Sequence, residues 1–397
     1  MLYLGRTTWR EPRVFGMPND DRRAHTYIVG KTGTGKSTLM EFMVRQDIAR
    51  GRGLALLDPH GDLVERVAEW VRRERRTDVI YLNVPDPGGL EVLNPLEDVP
   101  LLQRSAMASG LVAALKKVFA ESWGVRMEYV LRNALLLLLD QPSATIADIR
   151  SLLTDDAFRR NAAARATHAP VADFWLREFE LFPAGRFRAE VISPILNKIG
   201  PLLTDRFLHR IVAAPRSTIK LRDVMDSDGV LLVNLSKGRL GEGPSSLFGS
   251  LLLSTLSLAA LSRADTRPEG RRNFFVFADE FHLFTTPTVA EMMAELRKYG
   301  IGLILANQFL DQIDQTIRNS IIGNAGTLIS FRVGAVDATF VAREFAPEFT
   351  RDDLLGLPNR NFVVRMLSGG EAIRPFSAMT IDVVRSSDSS PRAIPQN

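Results

Sequence analysis

The sequence predicts an α/β protein: a mostly parallel central sheet interrupted by an all-helical insertion. Two observations carry this prediction. Short runs of β-branched and aromatic residues recur, each followed by turn residues, and several are apolar throughout rather than alternating. Such runs mark strands covered on both faces, hence a largely parallel sheet sandwiched by helices. Between about residues 101 and 213, by contrast, the pattern is helical in period almost without a strand candidate.

In chain order the strand candidates are Tyr27 to Val29, Leu54 to Leu57, Val79 to Asn83, Val230 to Leu235, Phe274 to Ala278, Ile301 to Ala306, Thr327 to Val333 and Phe362 to Met366. The last two come close together after the helical units and are expected to form an antiparallel or edge extension. Within the insertion, Leu101 to Ala120, Met127 to Leu139 and Phe187 to Ile199 read as helices, and Thr145 with Asp148 reads as a capped helix start. After Asp62, the residues Leu63, Val64, Val67, Ala68 and Val71 share one helical face, and Glu65, Arg66, Glu69, Arg72 and Arg73 share the other. The basic run RRERR at 72 to 76 is therefore read as a solvated helix surface. The Ser/Pro-rich tail 385–397 is expected to be disordered, and no internal repeat is present.

The composition of the 397 residues, 45% hydrophobic and 24% charged, is that of a globular protein with a substantial core. A net charge of +4 permits contact with a polyanion without requiring it. The chain has no cysteine, which removes disulfide and thiolate chemistry, and its five histidines show none of the close pairing of zinc sites. The longest apolar stretch, Leu247 to Leu261, is interrupted by serines and a glycine and falls short of the ~20 residues of a membrane span. It is read as a buried helix. The expected location is the cytoplasm, with any recruitment to the inner membrane made through a partner.

The octet GKTGTGKS at 30 to 37 follows the strand candidate Tyr27 to Val29 and precedes a helix-forming stretch. Gly30, Gly33 and Gly35 allow backbone angles that turn successive N–H groups toward one anion, with Lys31, Thr32 and Thr34 between them. Lys36 supplies a charge for the β and γ phosphates, and the Ser37 hydroxyl, followed by Thr38, is placed to bind Mg²⁺. ATP and Mg²⁺ are accordingly the expected ligands.

Hydrolysis needs an acidic partner, which Phe274 to Ala278 supplies by ending in Asp279-Glu280. Asp279 at the strand end can hold the Mg²⁺ shell beside Ser37, and Glu280 can act as general base on the attacking water. A helix-capping acidic pair is the structural alternative. Another strand candidate, Ile301 to Ala306, ends in Asn307-Gln308, where an amide can sense the γ phosphate or the water; a simple turn residue is the alternative. For the additional cation that phosphoryl transfer uses, Arg297 in ELRKYG is the first candidate and Arg332 in SFRVG the second, pairing with a surface acid being the alternative for either. In LLDPHGDL at 56 to 63, Asp58, His60 and Asp62 fall at a strand end, with Asp62 read as the cap of the next helix and Asp58 left open.

Together GKTGTGKST, the DPHGD string, VNLSKGRLGEG, VFADEF, the RKYGIGLILANQ run and GNAGTLISFRVGAVDA resemble the FtsK/HerA superfamily of P-loop ATPases. More narrowly, they resemble the conjugative coupling-protein ATPases of type IV secretion systems. The resemblance implies a RecA-like motor that assembles as a ring, a hexamer, and uses ATP to translocate DNA. It implies a discontinuous nucleotide-binding motor domain at 1–100 and 214–384, with 101–213 as the all-α insertion. Lys36 and Ser37 then match the Walker A positions, Asp279 and Glu280 the Walker B pair, Gln308 the sensor and Arg297 the trans-acting arginine. Secretion-channel or relaxosome proteins are the implied further partners. Unlike the membrane-anchored members, this chain is expected to begin only about 25 residues before its first strand, with no transmembrane span.

Lys237, Arg239 and the Gly-rich loop 238–243 are the candidate DNA contacts, a flexible turn being the alternative. The competing functional expectation is a type IV secretion assembly ATPase acting on protein components. A nucleotide-gated module without useful hydrolysis is argued against by the intact Asp279-Glu280 pair.

Overall fold

The computed structural model describes residues 1–9, 11–74, 79–120, 123–182, 186–286 and 292–382, and of Arg186 and Phe187 the backbone alone. The tail expected at 385–397, and Arg75 and Arg76 of the basic run, lie outside the described residues. The strands are β1 (Leu2–Thr7), β2 (Val14–Met17), β3 (Thr26–Val29), β4 (Gly53–Asp58), β5 (Val79–Asn83), β6 (Val230–Asn234), β7 (Phe274–Ala278), β8 (Ile301–Asn307), β9 (Thr327–Ser330), β10 (Asn361–Arg365), β11 (Leu367–Ser368), β12 (Glu371–Ala372) and β13 (Phe376–Met379). Eleven of them form one sheet in the order β2-β1-β13-β10-β9-β3-β8-β7-β4-β6-β5, and β11 pairs with β12 apart from it.

The stretch from β9 to β5 is parallel throughout, as the apolar runs predict. Of the two late strands expected as an extension, β9 is instead an inner parallel strand beside β3, and β10 begins the antiparallel part. That part also takes in β13, β1 and β2. Two strands of the sheet, β1 and β2, thus precede β3, which the sequence reading takes as the first. Their brevity and the glycines Gly5 and Gly16 hide them in the sequence.

Continuous apolar strands feed two cores. In β7, Phe274, Val276 and Ala278 face one layer, and Phe275 and Phe277 face the other. Each large apolar side chain buried this way contributes roughly 1.5–3 kcal/mol. On the second face lie α1 (Lys36–Ala49) and α2 (Asp62–Arg73). The apolar stripe of α2 is buried and its charged stripe exposed, as the periodicity predicts.

Between β5 and β6 the described residues contain helices and no strand: α3 (Arg104–Val118), α4 (Val125–Leu138), α5 (Asp148–Thr154), α6 (Asp156–Ala164), α7 (Ala169–Asp173), α8 (Arg186–Thr204), α9 (Arg206–Val212) and α10 (Leu221–Asp226), with short 3-10 and π turns. Thr145 N–H and its hydroxyl both donate to Asp148 Oδ2, at 2.7 and 3.0 Å, ahead of α5. After β6 come α11 (Lys237–Leu240) and α12 (Glu242–Leu261). At 20 residues α12 is long and apolar enough to cross a membrane, longer than its sequence suggests, yet most of it is buried within the protein. The hydroxyls of Ser254 and Thr255 donate to the carbonyls of Ser250 and Leu251, so these polar residues enter the interior with their hydrogen bonds made.

Candidate active site

Parallel strands end on one edge of the sheet, where α/β proteins hold ligands. Here β8 lies between β3 and β7, so the P-loop, the sensor position and the acidic pair follow neighbouring strand ends. Residues 30–35 link β3 to α1. Gly30 N–H donates to Asn307 O at 3.2 Å at the end of β8, and Lys31 N–H to Arg332 O at 2.9 Å beyond β9. Gly35 has φ of 120°, a conformation that side chains resist, and a Cβ there would press on Phe331 and the Arg360 backbone. Lys36 Nζ is buried and donates to Gly30 O at 2.5 Å and Lys31 O at 3.3 Å. Burial pulls its pKa down against the opposing fields of Asp279 and Glu280.

Ser37 Oγ donates to Asp279 Oδ2 at 3.2 Å, bringing together two groups 242 positions apart in the chain. Burial first, then the neighbouring carboxylates of Asp58 and Glu280, push the Asp279 pKa up to about 6. Glu280 takes the left-handed conformation, φ 42° and ψ 47°, which costs a non-glycine residue about 1–2 kcal/mol. Gln308 Nε2 donates to Glu280 Oε1 at 2.7 Å, while the buried Oε2 has no hydrogen-bond partner. Among the described residues, His282 is the cation-forming group within 4 Å of that oxygen, its Nδ1 at 3.5 Å. Burial, and after it Lys117 and Lys237, push the His282 pKa down to about 4, so the ring is neutral near pH 7 and the contact is not an ion pair. With its amide assigned to satisfy both ends, Asn307 accepts from His282 N–H at 3.1 Å and Nδ1 at 3.3 Å.

Asp58 has a definite place. Its carboxylate accepts from the N–H groups of His60, Leu63 and Val64 at 2.9, 2.8 and 3.1 Å, capping the start of α2. Asp62, expected to be the cap, is instead the exposed first residue of the helix. His60 is exposed.

Arg297 is not brought to this site. It is exposed and precedes β8, so the seven residues of that strand put roughly 20 Å between it and the nucleotide edge of its own chain. Arg332 lies against the P-loop through its backbone, but its guanidinium donates to Leu357 O at 3.2 Å and Asn359 Oδ1 at 2.7 Å. Lys237 and Arg239 share the site's edge but belong to α11, beyond β6 and across β4 from β7. The segment expected as a Gly-rich loop is mostly helical: α11 is a single turn, and Gly241 at φ 85° joins it to α12. The sequence reading treats His282 as a solvated or structural residue and misses it as a neighbour of Glu280, although its place two residues on was a signal. Lys117, distant in sequence, carried none.

By sequence, residues 12–173 match the family model of the type IV secretion-system coupling protein DNA-binding domain. Among solved structures, the unbound bacterial conjugative coupling protein TrwB aligns with a TM-score of 0.65 at 15% identity, over 93% of this chain and 87% of that one. TrwB in complex with the non-hydrolysable ATP analogue ADPNP aligns with a TM-score of 0.66 at 15% identity, over 92% and 87%. VirB4 of Thermoanaerobacter pseudethanolicus gives 0.64 at 15% identity, over 98% and 96%. A search of curated protein sequences returns no match. At this identity the structural likeness shows the fold. In its motifs, in the family model over residues 12–173 and in the fold of nearly its whole length, the chain resembles the coupling-type P-loop ATPases of type IV secretion systems.

Proposed function

We propose that this chain is an ATP-hydrolysing motor that acts as a ring, a hexamer, and translocates DNA. The observation that carries the reading is the meeting of Ser37 and Asp279 at 3.2 Å with Glu280 beside them, which sets a phosphate cradle against an acidic pair. Among the described residues there is no cluster of three or more His, Cys, Asp or Glu side chains that could hold a metal. One hydroxyl and one carboxylate nonetheless suit Mg²⁺, which takes few protein oxygens and keeps phosphate and water ligands. Ser37 and Asp279 would hold that ion, and when bound it neutralises charge developing on the phosphates.

The chain's own groups do the rest. The P-loop N–H groups bind the phosphates, and Lys36 exchanges the Gly30 and Lys31 carbonyls for phosphate oxygens. Glu280 takes the proton of the attacking water, with Gln308 holding one of its oxygens. Arg297, remote from its own nucleotide, supplies the cation to a neighbouring subunit's site. Lys237 and Arg239 contact DNA, residues 101–213 act as a domain inserted into a motor of 1–100 and 214–384, and the motor works in the cytoplasm with membrane recruitment through a partner.

The family model and the fold of TrwB, a conjugative coupling protein, support DNA as the substrate. The test is ATP turnover with and without DNA, together with DNA affinity across a salt series. DNA should raise turnover, and its affinity should fall steeply with salt. If DNA does neither and secretion-channel proteins stimulate turnover instead, the reading is wrong and the protein-directed ATPase replaces it.

A further inference from the structure

The turn that carries the proposed base is held by a residue of the helical insertion. Lys117 lies in the last turn of α3, and its Nζ donates to three oxygens of one short segment: His282 O at 2.5 Å, Thr285 O at 2.9 Å and Thr285 Oγ1 at 2.6 Å. All three acceptors are neutral. Burial alone pulls this lysine down to about 8, so its ammonium is desolvated against carbonyls rather than paired with a carboxylate, an arrangement that packing does not require.

The same segment is fixed from two other sides. Ser246 of α12 donates its hydroxyl to Leu283 O, and the Phe284 ring turns its Cδ1–Cε1 edge to Gly249, where a Cβ would stand 2.3 Å from those atoms. At the end of β8, Asn307 accepts from His282 and Gln308 donates to Glu280. Leu283 N–H returns to Glu280 O at 3.0 Å, closing the turn on the strained residue itself. Glu280 in its left-handed conformation persists only while its surroundings over-determine it, and Lys117 ties this turn to the insertion by hydrogen bonds.

We propose that Lys117 is a positioning residue for hydrolysis: it clamps the backbone of the 281–285 turn, holds Glu280 in its productive conformation, and thereby couples the helical insertion to the ATPase site. The proposal rests on the reading of Glu280 as the general base. A shift of α3 relative to the sheet loosens the clamp and lets Glu280 relax, so whatever binds the insertion changes turnover without touching nucleotide.

The test is the full chain carrying Lys117→Met, with Lys117→Arg and Thr285→Val beside it, followed by ATP turnover and by binding of a fluorescent non-hydrolysable ATP analogue at a temperature well below melting. Lys117→Met should lower kcat by about tenfold or more while analogue affinity and KM stay within about twofold, and Lys117→Arg, which keeps the donors, should recover most of the loss. Thr285→Val removes one acceptor and keeps the lysine, so it should give a smaller loss of the same kind, and it answers the question even if Lys117→Met does not fold. Unchanged kcat in Thr285→Val or in folded Lys117→Met overturns the clamp, as does a parallel loss of analogue binding. Glu280→Gln is run alongside: if it turns over normally the base assignment itself has failed, whereas an inactive Glu280→Gln with an unaffected Lys117→Met removes only the clamp.

Discussion

Gln308 holds the Glu280 carboxylate by a single 2.7 Å hydrogen bond, made from the end of β8 to the end of β7. One oxygen of the proposed base is thus engaged and the other, buried and without a hydrogen-bond partner, is left to accept from water. The ends of two neighbouring strands fix this relationship, so Gln308, just beyond β8, and Glu280, just beyond β7, are held as one unit.

From it follows a split between binding and chemistry. Glu280→Gln should retain nucleotide affinity and lose turnover by about 10²–10⁴, the usual contribution of a general base. Gln308→Ala should lose a smaller factor, about 10–100, through misorientation of the carboxylate rather than loss of the base. Turnover and binding of a fluorescent ATP analogue, measured on the same preparations, check both. Wild-type kcat in Gln308→Ala would show that the hydrogen bond is incidental.

A second relationship fixes the P-loop helix to the sheet. Arg22 Nη1 and Nη2 donate to Asp47 Oδ1 and Oδ2 at 2.8 and 2.5 Å, both side chains are buried, and the guanidinium lies 3.4 Å from the centre of the Phe275 ring. Arg52 adds a bond to Asp47 at 3.2 Å. Removing one partner of a buried pair leaves an uncompensated charge and costs about 3–5 kcal/mol. Asp47→Ala should therefore lower the urea midpoint sharply, whereas the double change Arg22→Met with Asp47→Leu should recover much of that loss. Equal destabilisation by the single and double changes would count against the pair as the cause.

The sequence reveals the inner, parallel strands well because their residues are apolar on both faces, as in Phe274 to Ala278, and so leave no ambiguity about burial. The edge is less legible. In β1, Gly5 packs under the Met379 carbonyl and Arg6 faces outward, so the run of β-formers is broken, and the partner that joins this strand to the rest of the sheet, β13, lies about 370 residues on. At the site, contiguous motifs such as GKTGTGKS and ADE declare themselves because local spacing encodes their chemistry. Asp58 does not: whether it or Asp62 caps α2 depends on the left-handed Gly61 turn, at φ 90°, that swings the helix start back over Asp58. Lys117 is invisible for a similar reason, since its three acceptors lie some 165 residues on.

His25 supplies a pH-dependent prediction away from the site. Its Nδ1 accepts from Leu303 N–H at 3.0 Å, so the proton sits on Nε2 and is donated to Met293 O at 2.9 Å. Both ring nitrogens are used by the neutral form, and burial pushes the pKa down to about 4. The unfolded chain takes up this proton near pH 6.5 and the folded one only near 4, so the unfolded state binds more protons between those values. Stability from this group is complete above pH 6.5 and is lost as pH falls toward 4, by about 3 kcal/mol at most. Urea unfolding from pH 7.5 to 4.5 should show the fall in wild type and a shallower one in His25→Gln. Identical slopes in the two proteins would place the acid sensitivity elsewhere.

Arg297 gives the sharpest test of the proposed assembly, because the length of β8 separates it from the P-loop of its own chain. It is exposed ahead of β8, on the edge of the sheet opposite the P-loop, so under the proposed ring it would reach a neighbour's nucleotide rather than its own. Arg297→Ala should bind the ATP analogue normally and lose turnover by about 10³ or more, the contribution of a trans-acting arginine. Mixing it with Glu280→Gln then separates the two halves of a shared site. Each variant alone should be inactive, whereas in the proposed rings mixing gives some interfaces that pair an intact Arg297 from one subunit with an intact Glu280 from the next. Turnover should therefore reappear on mixing and rise to a maximum near equal amounts. If mixing restores nothing while Arg297→Ala alone is fully active, the arginine is assigned wrongly, and Arg332 takes its place once freed from Leu357 and Asn359.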